Sequence, residues 1–242
     1  MQRINHPEPG HYWWITEGAE VVGFAMQSPP TYSAGVVPAS PTVLDALAEA
    51  VFATAPFLPG VIAEAATAAR FAGRWTECAN RGAAPVDSQR IYVLGQLCPP
   101  ADVPGARRLA TSDDLDLVAD WALGFSRDTG MPPLAEPRVW SRQRVGDRRL
   151  WIWDCSGPVA MALANPPIVG VTRIGFVYTP PEHRRHGYAS ALVSAVSALE
   201  LDGGATTCML YAQLANPTSN AIYRRIGYRP ISDVLSYSFS PG

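Results

Sequence analysis

Apolar residues Ala189, Leu192, Val193, Val196 and Leu199 recur at helical spacing and predict a helix from about Gly187 to Leu201. The run ahead of it, Gly170 to Thr179, is rich in β-branched and aromatic residues and predicts a strand. The rest of the second half sorts the same way. Ala106–Ala110 is a short strand, and Thr111–Gly130 a helix with Thr111 as N-cap and Asp114 completing a capping box. A second helix includes EPRVWSRQRVG, and Leu150–Asn165 is a hairpin. Thr206–Leu214 is a strand. Asn216 (N-cap), Pro217 (N1) and Gly227 (C-terminal stop) bound a short helix. A last strand or strand pair spans Tyr228–Phe239.

The first half is a shorter version of this order. Its hairpin is followed by YSAGVV, the helix SPTVLDALAEAVFATA, the strand GVIAE, the helix AATAARFAGRWTECAN and the strand QRIYVLGQL. Trp14–Pro30 and Trp151–Pro167 align without a gap. Both begin Trp-Ile, carry an acid at the fourth position, turn, run apolar and end Pro-Pro. Element order and repeat together predict an α/β (α+β) protein of two related halves, the first truncated, with mixed, mostly antiparallel sheets flanked by helices. The Pro- and Gly-rich stretch Cys98–Ala106 reads as a linker and puts the division at residues 1–104 and 105–242.

Composition narrows the function classes. The chain has 242 residues and a net charge of -2, so no global basic field holds nucleic acid. All 19 basic residues are Arg, which excludes a catalytic lysine. The N-terminus lacks an apolar signal core, and no apolar run is long enough to span a bilayer. The four cysteines form no CxxC pair, so neither a zinc site nor a disulfide framework is expected. A cytoplasmic protein with reduced thiols is the expectation.

The segment RRHGYA, Arg184 to Ala189, places two arginines ahead of a helix N-terminus, an end that favours anions. Free first-turn amides, a glycine that admits close approach and two guanidinium groups suit a pyrophosphate. The six residues alone fit a solvated basic turn equally well. No phosphate loop GxxxxGK[ST] and no GxGxxG after a strand is present.

Read with NPTSNAIYRRIGYRP from Asn216, the segment VYTPPEHRRHGYAS closely resembles the GNAT superfamily of N-acetyltransferases, in the branch with a reduced GNAT-like N-terminal half. The resemblance covers residues 106 to 240; residues 11 to 97 match only in element order. It implies tandem GNAT-like domains, the first degenerate and the second binding acetyl-CoA. The implied arrangement has Val177, Tyr178 and Thr179 holding the pantetheine arm. Arg184, Arg185, His186, Gly187, Tyr188, Ala189 and Ser190 would wrap the pyrophosphate, and Asn216 and Asn220 would touch the arm from the other side. Tyr223 falls where the family places its general acid, with a backbone amide near Val177 or Tyr178 meeting the developing oxyanion. The implied reaction is direct transfer of acetyl from acetyl-CoA to an amine of a small molecule or peptide, without metal. A CoA-binding module with lost catalysis, or another acyl donor or acceptor, stays open, as do the acceptor's identity and the choice of monomer or homodimer.

One departure stands out. Many GNAT enzymes carry an acid on the strand before the loop, and here Thr172 and Arg173 stand in its place. The base is left open: the other half, Asp154 or Glu182, or water alone. The acidic group Asp113, Asp114, Asp116 and Asp120 fits either a cationic acceptor or simple complementing of a helix dipole. Cys155 and Cys208 have no histidine nearby in sequence and are expected to be structural. In the first half, PASPTVLDAL offers no Arg or Gly at the place of the phosphate loop. That half is expected to bind no acetyl-CoA and to wall the acceptor site.

Overall fold

A computed structural model describes residues 10–240. The chain forms two compact units, one running to Arg90 and resuming at Ser232, the other Ile91–Ile231. The boundaries fall inside β5 (Ala83–Leu94) and β11 (Tyr228–Phe239), two long strands that each run from one unit into the other. The Pro-rich stretch near residue 104 lies within the second unit.

In the first unit the strands run in the order β1 (His11–Glu17), β2 (Glu20–Gln27), β3 (Ala34–Val36), β4 (Gly60–Glu64), β11, β5. The β3–β4 pair is parallel; β1–β2, β2–β3 and β4–β11 are antiparallel. Helices α1 (Pro41–Thr54) and α2 (Ala65–Ala79) bury Leu47, Val51, Phe71 and Trp75 in one core. Trp75 stacks on Phe239 with centroids 4.1 Å apart, which fixes the C-terminal strand there.

In the second unit the order is β11, β5, β10 (Thr207–Gln213), β9 (Val171–Tyr178), β8 (Pro158–Ala164), β7 (Leu150–Asp154), β6 (Ala106–Leu109). Period-two alternation gives each strand two apolar faces. Ile174, Leu210 and Ala212 face α5 (Tyr188–Asp202) and α6 (Pro217–Arg225) in one core. Met161, Tyr178 and Phe176 face α3 (Leu115–Thr129) and α4 (Pro137–Gly146) in another. Gly227 (φ +101°) ends the α6 turn where backbone comes so close that a side chain at 227 would collide with the Gln96 carbonyl.

The expected capping box is present: Asp114 accepts from Thr111 N at 2.8 Å and Thr111 Oγ1 at 3.1 Å, and from Arg108 at 2.7 and 2.9 Å. Arg108 beside it holds the buried Asp114 carboxyl below the usual carboxylate range, against burial. A depressed pKa contributes stability above the unfolded value, near pH 4, and that stability is lost as pH falls through the folded value. Arg108→Ala leaves Asp114 without its cation and should cost about 2 kcal/mol at pH 7, below the usual cost for a fully buried pair because Arg108 is partly exposed. In urea unfolding the difference from wild type should shrink as pH drops below about 4. A difference that stays constant with pH would mean that the ion pair contributes nothing.

Candidate active site

The geometry begins with two strands that separate. β9 and β10 are parallel and pair only at Val171–Ile174 with Thr207–Leu210. Past Ile174, β9 continues to Tyr178 against β8 alone. There Met161 pairs with Tyr178 and Leu163 with Gly175, so β9 carries one extra residue. Phe176 takes a positive φ of 48° at this β-bulge, the left-handed conformation found in bulges of the G1 type. The bulge bends β9 and leaves the edge of its last four residues with no ladder to β10.

The residues expected at the cofactor lie around this opening. Val177 packs into the same core as Tyr188 and Tyr223. Tyr178 turns the other way, against Trp121 at 6.3 Å between centroids, so only its backbone faces the parted edge. The Thr179 carbonyl accepts from Arg184 Nε at 3.0 Å. Among the described residues, Thr179 Oγ1 is buried with no hydrogen-bond partner.

After a 3-10 turn at Pro181–His183, Arg185 (φ +70°) and Gly187 (φ +82°) both take left-handed conformations and swing the chain into α5. Gly187 is the N-cap and offers no capping side chain, while the helix's first bond runs from Ala191 N to Gly187 O at 3.0 Å. The first-turn amides of Tyr188, Ala189 and Ser190 therefore meet no capping oxygen. Arg185 and His186 are exposed, and His186 stacks on Tyr188 at 5.5 Å. The Arg184 guanidinium pairs with Asp128 at the end of α3. α1 differs: Ser40 Oγ accepts from Val43 N, and Pro41 removes a further amide.

On α6, Asn216 Oδ1 caps the helix by accepting from Ser219 N at 3.0 Å. Asn220 is buried. Its Nδ2 donates to the Gln213 and Asn216 carbonyls at 2.8 and 2.6 Å, and its Oδ1 accepts from Tyr92 at 2.7 Å. These side chains clamp the end of β10 to α6. Tyr223 is 7% exposed, between Tyr92 and Tyr228 at 6.1 and 6.2 Å. Burial holds its phenol well above the ordinary tyrosine range, so it stays protonated at neutral pH.

The candidate bases divide sharply. Asp154 accepts from Arg108 at 2.9 Å and Gly157 N at 3.0 Å, and Arg108 keeps its carboxyl below the usual range, which makes it a weak proton acceptor. Glu182 is exposed on the 3-10 turn. Thr172 is fully buried and donates to Glu200 at 3.0 Å. Of the acidic group, Asp114 is the cap and Asp116 pairs with Arg138 at 2.9 Å. Asp116 and Asp120 line a shallow groove of about 290 Å³ with Glu136. Burial pushes the Cys208 thiol up to about 11, so it is a poor nucleophile. Among the described residues, no cluster of His, Cys, Asp and Glu is placed to hold a metal, and no helix is long and apolar enough to cross a membrane.

Sequence reasoning did not find Asp128, Tyr92 or Gln213, whose Nε2 donates to the Thr129 carbonyl at 2.5 Å. Each is distant in sequence from what it binds, and no local pattern marks it.

Residues 160–236 match the family model described as FR47-like protein. An acetyltransferase from the GNAT family of Colwellia psychrerythraea has a similar structure, at 12% identity and a TM-score of 0.64, over 95% of this chain and 85% of that one. A GCN5-related N-acetyltransferase from Kribbella flavida has 18% identity and a TM-score of 0.61, over 91% and 88%. A tandem GNAT protein from the clavulanic acid biosynthesis pathway has 12% identity and a TM-score of 0.53, over 98% and 85%. No curated protein matches the chain. At these identities the likeness to the solved structures is one of fold. That fold is the one shared with these GNAT-family structures, and the family-model match spans residues 160–236.

Proposed function

We propose that the protein is an acetyl-CoA-dependent N-acetyltransferase with one cofactor site per chain, in its second half. The observation that carries this reading is the parting of β9 from β10 beside the uncapped start of α5. The open edge of β9 suits the amides of a pantetheine arm, which pair with it as an added strand would. Thr179 Oγ1, buried and unpartnered among the described residues, offers a further polar contact. The amides of Tyr188, Ala189 and Ser190, at the positive end of a 15-residue helix, suit the pyrophosphate, with Arg184 and Arg185 beside them. Asn216 and Asn220 act as positioning residues that hold the end of β10. Bound acetyl-CoA supplies the acyl group and a thiol leaving group. Tyr223 holds a proton at its hydroxyl and delivers it to the departing sulfur. The first half keeps the GNAT-like order without a phosphate loop, and Ser40 and Pro41 occupy or remove the amides that an anion needs.

A panel of small amines, aminoglycosides and peptides, each mixed with protein and acetyl-CoA, tests the reaction. Free CoA should appear together with an equal amount of acetylated product for at least one acceptor. No release above hydrolysis with any acceptor would replace this reading with that of a CoA-binding module.

A further inference from the structure

Two consecutive residues at the end of α3 are tied to opposite sides of the opening between β9 and β10. On the β9 side, Asp128 pairs with the Arg184 guanidinium, whose Nε also donates to the Thr179 carbonyl at 3.0 Å. On the β10 side, the Thr129 carbonyl accepts from Nε2 of Gln213, the last residue of β10, at 2.5 Å. The last turn of α3 therefore bridges the parted strands. Further back, Gly124 brings α3 so near β9 that a side chain there would collide with the Tyr178 phenol.

The two ties differ in strength. Gln213 is itself held, since its carbonyl accepts from the buried Asn220, which Tyr92 also bonds. The Asp128–Arg184 pair is exposed, with side chains 45% and 43% accessible. Such a pair shifts an equilibrium by at most about 5-fold. Asp128 also stands at the negative end of the α3 dipole, the end that disfavours an anion. Without Arg184 beside it, that repulsion loosens the last turn.

We propose that Asp128 is an internal competitor for the pyrophosphate of the cofactor. Its carboxylate holds the guanidinium that the proposed phosphate site uses. A pyrophosphate carries more negative charge and has the α5 amides beside it, so it draws Arg184 away and releases Asp128. The end of α3 then keeps its Gln213 tie but loses the one to the loop after β9, and cofactor occupancy is passed on to residues 126–134. This regulation rests on the acyltransferase reading for the identity of the anion. A ligand shifts such a balance only by its differential affinity for the two states, so removing the competitor must tighten cofactor binding.

Acetyl-CoA is titrated by calorimetry into wild type, Asp128→Asn, Arg184→Gln and the double variant. Asp128→Asn should bind about 2- to 5-fold tighter than wild type, the range of an exposed ion pair. Arg184→Gln should bind more weakly, and adding Asp128→Asn to it should change nothing further, because the competition needs both residues. Hydrogen exchange is followed in the same proteins. Residues 126–134 should exchange about 2- to 5-fold faster in Asp128→Asn alone than in wild type alone, and acetyl-CoA should speed wild type by a similar factor. Equal or weaker binding by Asp128→Asn overturns the proposal, as does exchange at these residues that stays unchanged in either comparison. A gain that persists in the Arg184→Gln background is a general effect of charge and overturns it too. No acetyl-CoA binding by any of the four proteins would sink the acyltransferase reading and the competitor with it. Binding that is indifferent to Asp128 would sink the competitor alone.

Discussion

Tyr223→Phe should lower turnover by about 100-fold, within the range of general acid catalysis, and leave acetyl-CoA affinity within about 3-fold. The substitution removes one oxygen from a ring packed between Tyr92 and Tyr228, so the core keeps its volume. Burial holds the phenol protonated well past neutral pH. In the proposed reaction it would meet the departing thiolate with its proton in place, and no pH between about 6 and 9 should remove that proton. Steady-state rates at saturating acetyl-CoA, beside calorimetric affinities, separate the two effects. Unchanged turnover would return Tyr223 to the role of a core aromatic.

Arg184→Gln combined with Gly187→Ala should weaken acetyl-CoA binding by about 100-fold or more, from lost charge-assisted bonds and a displaced backbone. Arg184 pairs with Asp128 across an exposed contact, both side chains being over 40% accessible. Such pairs contribute about 0–1 kcal/mol, so exchanging the carboxylate for a pyrophosphate costs little. Gly187 has φ +82°, and a Cβ there would come within 3.1 Å of Val103. An alanine in that conformation costs about 1–2 kcal/mol, enough to shift the amides that follow but not to unfold the chain. The melting temperature should fall by only about 2–8 °C, which separates local from global damage.

How much of this was legible in the sequence differed from element to element. α5, β9, β4 and the Thr111–Asp114 cap follow from local pattern and lie within a residue or two of the expected positions. β5 begins at Ala83, ahead of the expected strand that starts at Gln89, because AAPVDS has no alternation and pairs through tertiary contact. The division between halves was drawn at the Pro-rich linker, whereas the compact units divide inside two strands, a feature that no composition reveals. The site was legible as far as its motifs reached. The bulge at Phe176 was not, since a left-handed phenylalanine inside an apolar strand arises from mismatch with β8. Nor were the partners of Arg184 and Asn220, which lie 56 and 128 residues away. The resemblance assigned Asn220 to the cofactor. Its amide is engaged instead with Tyr92, Gln213 and Asn216, in a clamp that the motif alone does not disclose.

The central claim is one acetyl-CoA site, built from the parted strands and the start of α5. Calorimetric titration of acetyl-CoA into the wild-type chain and into the Arg184→Gln, Gly187→Ala variant tests it most directly. The account predicts one site per wild-type chain, and binding about 100-fold or more weaker in the folded variant. Two sites per chain, or equal affinity in both proteins, would contradict it.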